Sequence, residues 1–307
     1  MTRILTLTLV QRPAELQLYT TKFSPIPTLL TIAQLTNKYH FATTENWAIS
    51  ALYAVLTSET QLHRHYDLLH CKPSLLRRVV EVALLCQHEA LRDFAIDRWI
   101  RRLMAREVNP LSAMDVADEF GLVKLKGVSY YVTLLECGDR LQWDMPSFLS
   151  DSEDEDESII TDDGDTTQTA RSPSSSRRSS PSPPPALSAQ QKARLLSGFF
   201  SLTNLWDRLR LTAPGFDKPP GCTYHAHGCL STWRTIWQTT SKSDETLKYR
   251  SADVLGRLKS MEAQLLRDAD LHCALTPTCR RAAMESVRNL WQQVEDDLAE
   301  HFVDMTR

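Results

Sequence analysis

The chain has 307 residues, 42% apolar and 24% charged, a balance that fits a globular protein and excludes collagen-like or wholly disordered chains. A net charge of -3 offers no overall basic field to a polyanion, and no run approaches the roughly 18 apolar residues of a membrane span. Nine scattered glycines make no phosphate-cradling array, and seven cysteines are too few, and odd in number, for a disulfide scaffold. A reducing compartment, cytoplasm or nucleus, is therefore expected.

Taken in chain order, residues 1–10 alternate Ile4, Thr6 and Thr8 against Leu5, Leu7 and Leu9, which predicts a strand rather than a secretion signal. Residues 25–140 then repeat one helical pattern three times. Residues 27–35 turn at 37–41 and resume from Glu45 to Leu56. Residues 75–84 turn at 87–89 and resume from Leu91 to Leu103. Residues 114–120 turn at 121–123 and resume from Leu125 to Leu135. Spacings of three and four, as in Leu29/Ile32/Ala33 and Val79/Val82/Ala83, mark faces that pack on a neighbour. Each second helix carries an aromatic, Trp47, Trp99 or the pair Tyr130 and Tyr131, expected in the core.

The pattern stops at Ser150. Residues 151–165 hold nine acidic side chains, and residues 171–188 hold eight serines, five prolines and three arginines. Neither block can bury enough apolar surface to offset ordering entropy, so a disordered linker is expected over 150–188. Ser150 and Ser152 precede acidic residues and Ser172, Ser180 and Ser182 precede proline, a pattern suited to phosphorylation. Beyond it, Ser188 predicts the cap of a helix reaching about Arg210, followed by a loop rich in proline and glycine. Ser231, Ser251 and Thr276-Pro277 predict the starts of three further helices. The last carries Val287, Leu290, Trp291, Val294, Leu298 and Phe302 on one stripe. The expected fold is all-α: stacked helical hairpins, a linker, and a small C-terminal bundle.

The segment Leu29-Leu30-Thr31-Ile32-Ala33-Gln34-Leu35-Thr36-Asn37-Lys38-Tyr39-His40-Phe41, with Trp47-Ala48-Ile49-Ser50-Ala51-Leu52, resembles the last two helices of a BTB/POZ domain. In context the chain is similar to fungal, chiefly mushroom-type, BTB domain-containing proteins, where helices, an acidic Ser/Pro spacer and a helical block follow. The resemblance implies a BTB-like part over 1–58, truncated at its N-terminus, a BACK-like helical region over 59–149, the linker over 150–188 and a C-terminal domain over 189–307. It implies an interaction protein without chemistry of its own. Its partner would be another protein, a cullin-type ubiquitin ligase scaffold or another BTB chain.

One octet, Cys222-Thr223-Tyr224-His225-Ala226-His227-Gly228-Cys229, offers thiols and imidazoles on a loop framed by proline and glycine. Cys222, His225, His227 and Cys229 are candidate zinc ligands, with His272, Cys273 and Cys279 able to complete a site from a second segment. Four ligands within eight residues are cramped, so the expectation is a plain loop with no metal and no cofactor. Cys222 and His225 lack the orienting partner of a catalytic pair, and no other catalytic constellation occurs. His63, His65, His70 and Cys71 are expected to form a surface cluster. Arg77-Arg78, Arg101-Arg102 and Arg280-Arg281 are expected to be solvated, which leaves nucleic acid without a basic stripe. The alternative reading is a transcription-associated regulator whose C-terminal domain binds metal or nucleic acid.

Overall fold

The computed structural model describes residues 26–57, 68, 70–137 and 187–304. The strand expected at 1–10, the serines expected to be phosphorylated, and His63 and His65 all lie outside them, as does all of the 150–188 linker except its last two residues. The described residues form thirteen α-helices and no strand. The chain is all-α.

The first six helices are α1 (Ile26–Lys38), α2 (Ala42–Thr57), α3 (Pro73–Leu85), α4 (Glu89–Met104), α5 (Leu111–Phe120) and α6 (Val123–Cys137). They pair as three successive hairpins, with α1 on α3, α3 on α5 and α4 on α6. The periodic stripes are what meet: Leu29, Leu30 and Ala33 of α1 and Val79, Val80 and Ala83 of α3 are fully buried. Each buried leucine or valine contributes about 1.5–3 kcal/mol by leaving water.

A shared corner explains why units of unequal length look alike. His40, Gln87 and Gly121 each take the left-handed conformation, at φ 59°, 53° and 64°. The next amide then closes on the carbonyl five residues back: Phe41 on Thr36 at 2.9 Å, His88 on Ala83 at 2.9 Å, Leu122 on Ala117 at 3.0 Å. This closure satisfies a helix-end carbonyl and reverses the chain in two residues. Arg106 (φ 57°) builds the same turn between α4 and α5, with the Glu107 amide on the Arg102 carbonyl at 3.0 Å. Only Gly121 adopts the conformation without a β-carbon penalty.

The remaining helices are α7 (Ala189–Leu209), α8 (Leu230–Ser241), α9 (Asp244–Leu247), α10 (Val254–Arg267), α11 (Ala269–Ala274), α12 (Pro277–Asp296) and α13 (Leu298–His301). Ser188 and Gln191 cap α7 reciprocally, and the Thr276 hydroxyl with Pro277 starts α12, both as expected. Two other caps differ. A π-helical turn (His225–Cys229) leads straight into α8, so Ser231 lies inside the helix and donates to the Gly228 carbonyl at 2.9 Å. Asp253, not Ser251, caps α10, accepting from the Gly256 amide at 2.8 Å. The expected last helix also breaks at Asp297, which lets Leu298 on a separate helix, α13, and Phe302 just beyond it turn inward.

Helix α10 is the hub of this half, packing on α7, α8, α9 and α12. Trp206, Trp233 and Trp237 are buried around it, while Trp291 is only partly buried. Trp233 holds the Pro/Gly loop by donating to the Pro214 carbonyl, and Trp237 donates to the carbonyl of Leu209 at the end of α7, each at 2.9 Å.

The halves on either side of the linker share one core. Helix α6 packs on α4 and α5 but also on α7 and α13, and is buried nearly all round. Gly127 lets the backbone of α13 approach, since a β-carbon there would meet the Ala299 amide nitrogen. The Tyr131 hydroxyl donates to Asp253 at 2.6 Å and accepts from the Leu255 amide at 3.2 Å, so α6 completes the cap of α10. Arg194 of α7 bonds Asp118 of α5 at 2.7 Å, while its guanidinium clasps Asp304 through two bonds of 2.7 and 3.1 Å.

Candidate functional site

The Cys/His octet folds differently from the way its spacing suggests. Gly221, at φ 81°, turns the chain into Cys222, and the wide π-helical turn then carries His225 and Cys229 inward on one side. Gly228 lies against the Tyr224 ring, so any side chain there would collide with it. From the other side comes Cys279, in the first turn of α12, three residues after its cap Thr276. The Cys222, Cys229 and Cys279 sulfurs all lie within 4.8 Å of one another, and Cys222 and Cys229 are 3.9 Å apart. The His225 Nδ1 sits 3.5 Å from the Cys279 sulfur.

All four side chains are buried, the three cysteines at 0–2% exposure. The Phe216 ring packs edge-on against the His225 imidazole at 5.2 Å and covers it. Thr276 Oγ1 donates to Cys222 Sγ at 3.6 Å, and this bond, with help from the Tyr224 amide, holds the Cys222 thiol below its ordinary pKa. Burial pushes the neighbouring Cys279 thiol up to about 11. His227, Cys273 and His272 stay outside the cluster: all three are exposed, and His272 instead accepts from Arg280 at 2.6 Å.

The structure pairs the histidine with a different cysteine from those in its own octet. His225 touches Cys279, and all three thiols are buried.

The arginine pairs divide. Arg77 bonds Glu81 at 2.6 Å and Glu119 at 2.9 Å, and Arg78 bonds the Thr31 hydroxyl at 2.9 Å. Arg102, expected at the surface, is buried, because its guanidinium ties the Leu68 and Cys71 carbonyls at 3.0 and 2.6 Å. His70 is exposed, as expected.

A second feature lies along the hairpin corners. The Asn37 side chain donates to the Leu85 carbonyl at 3.3 Å, setting the α1–α2 corner beside the α3–α4 corner. A groove of about 640 Å³ continues from Leu84 over Ile96 to Phe120 and Val123 at the α5–α6 corner. Along this edge Tyr39, Phe41, Leu85, Phe120 and Val123 are all exposed, Val123 by 65%. Arg92, Asp93, Asp97 and Lys124 stand between them, so the apolar side chains are interleaved with charges of both signs.

Among the described residues, no helix is long and apolar enough to cross a membrane. Searches of protein-family models, curated proteins and solved structures return no match to this chain.

Proposed function

We propose that the chain is a non-enzymatic protein-binding adaptor, with the corner edge of its helical hairpins as the binding face. The observation that carries this reading is the row of exposed aromatic and aliphatic side chains from Tyr39 to Val123, rimmed by charges of both signs. Such mixed patches suit protein partners, whose contacts concentrate on a few large apolar anchors. The BTB resemblance of residues 29–52 supplies the partner class, a cullin-type ligase scaffold or a BTB chain, met in the cytoplasm or nucleus. Nucleic acid is a poor fit: residues 189–307 hold sixteen Lys and Arg against fourteen Asp and Glu. Several of those arginines are already paired, Arg194, Arg210 and Arg288 among them.

The test is calorimetric titration of the full chain with a purified fungal cullin scaffold, for the wild type and for Tyr39→Asp combined with Val123→Asp. A measurable affinity that falls at least about tenfold in the double variant supports the reading, since losing one anchor costs about 1.4 kcal/mol or more. An undetectable wild-type interaction removes the cullin. An affinity unmoved by the double variant removes the corner edge.

A further inference from the structure

We propose that Cys222, Cys229, Cys279 and His225 hold one structural zinc ion, which ties the Pro/Gly loop and the start of α8 to the start of α12. This inference stands apart from the adaptor reading, and neither depends on the other.

The donor set and its spacing carry the argument. Zinc in structural sites takes four soft or borderline ligands in a tetrahedron, and three thiolates with one imidazole is an established combination. With Zn–S near 2.3 Å and Zn–N near 2.0–2.1 Å, a tetrahedron requires edges of about 3.8 Å between sulfurs and about 3.5 Å between sulfur and nitrogen. Cys222 and Cys229 stand 3.9 Å apart, and His225 Nδ1 and Cys279 stand 3.5 Å apart. These two pairs share no residue, so in a tetrahedral site they would be opposite edges. The third sulfur closes within 4.8 Å of the other two; His225, which meets Cys279 but stands farther than that from at least one of the other sulfurs, must swing toward Cys222 and Cys229 to complete the shell.

Other readings of the cluster explain less. The Cys222–Cys229 separation is nearly twice a disulfide bond length of about 2.05 Å. Packing accounts for buried cysteines one at a time, but three sulfurs within 4.8 Å of one another, drawn from two segments fifty residues apart, have the crowding of a ligand set.

The surroundings suit the ion. Binding displaces the three thiol protons to solvent and leaves a dication with three thiolates, a net charge of −1. The first turn of α12, where Cys279 sits, directs its positive end at that charge. Thr276 Oγ1 donates to the Cys222 sulfur, the outer-shell support that metal thiolates use. The near-complete burial of the sulfurs marks a closed structural site rather than a catalytic one with an open position.

The experiment uses the full chain, purified without chelator from cells grown with added zinc. Elemental analysis is expected to give close to one zinc per chain, released in step with titration of its thiols by a mercurial. Replacement by cobalt is expected to give tetrahedral d–d bands and thiolate-to-cobalt charge-transfer absorption. Cys279→Ser should lose the metal, whereas Cys273→Ser, an exposed cysteine six residues earlier, should keep it. Should Cys279→Ser fail to fold, the wild-type cobalt spectrum decides alone. His225→Asn should weaken zinc binding by more than the about 10–100-fold that loss of an outer-shell partner costs. Wild-type protein with zinc far below one per chain and no thiolate–cobalt band overturns the proposal, as does a Cys222–Cys229 disulfide found by mass under reducing growth. Unchanged affinity in His225→Asn overturns the assignment of the fourth ligand.

Discussion

Trp47 and Trp99 occupy matching places in the first and second hairpins, yet the fold treats them differently. Trp99 is wholly buried, whereas Trp47 is only partly buried, packed against the core with an edge in water. Trp99→Ala should therefore cost about 3–5 kcal/mol, because it leaves a large cavity inside α4 and its neighbours. Trp47→Ala should cost clearly less, about 2 kcal/mol, since part of its area is never removed from water. Urea denaturation midpoints at constant slope would check both, and equal losses would show the hairpins to be equivalent after all. Sequence alone placed both tryptophans on inward faces correctly, but periodicity cannot say how much of a large ring the neighbouring helix covers. The same limit applies to Arg102, whose burial depends on carbonyls of the 68–71 turn rather than on its own helix. Cys279 was visible as a possible extra ligand. Its union with Cys222 and Cys229 was not, because it depends on how α12 packs, and His227, inside the octet, was left facing outward.

The helices themselves were legible where their signals are local. The three hairpin corners, the Ser188 cap and the Thr276-Pro277 start all rest on contacts within a few residues. Where a distant group intervenes, the reading slipped: Asp253 caps α10 partly because Tyr131, over a hundred residues earlier, bonds the same carboxylate. Helix α13 was read as a continuation of α12 for a similar reason. Its inward turn is imposed by a socket made of Gly127, Gly198 and the Tyr130 ring, which packs 5.5 Å from Phe302. That docking is also sensitive to acid. His301 Nδ1 lies 2.7 Å from the Ser201 hydroxyl, and burial holds its pKa below the ordinary 6.5 despite Glu300 and Asp297 nearby. The folded chain thus binds fewer protons there than the unfolded chain, so this contribution is full above about pH 6.5 and is lost as pH falls below it. Asp304, held below its usual value by Arg194, adds a second loss as pH falls through about 4 and below. Stability measured by urea midpoint across this range should fall in two stages. His301→Gln should flatten the first and leave the second, and an unchanged profile would show that His301 titrates as freely folded as unfolded.

The boundary drawn at 150–188 from composition separates two stretches of sequence, but the helices on either side build one core. Composition reports which residues cannot bury themselves, not which flanking segments bury each other. Helix α6 is the element that joins them: its residues Val128, Tyr130, Tyr131 and Leu134 are almost completely buried, against α4 and α5 on one side and α7 and α13 on the other. Arg194 closes the seam by binding Asp118, Tyr130 and Asp304 together; its own side chain and Asp118 are largely covered, whereas Asp304 faces solvent. The Asp118 side of the cluster is the part whose loss would cost most, since exposed pairs such as Arg194–Asp304 contribute little. A cut in the linker should then leave the molecule whole. With a specific protease site placed at Gly164, cleavage is expected to yield two fragments that co-elute as a single species in size-exclusion chromatography and melt in one transition. Gly127→Leu would force the α13 backbone away from α6, so the same cut in that variant should release the fragments or make them melt separately. Wild-type fragments that part after cleavage, each with its helical signal intact, would show instead that the chain is two independent domains and that the contacts of α6 with α7 and α13 contribute little.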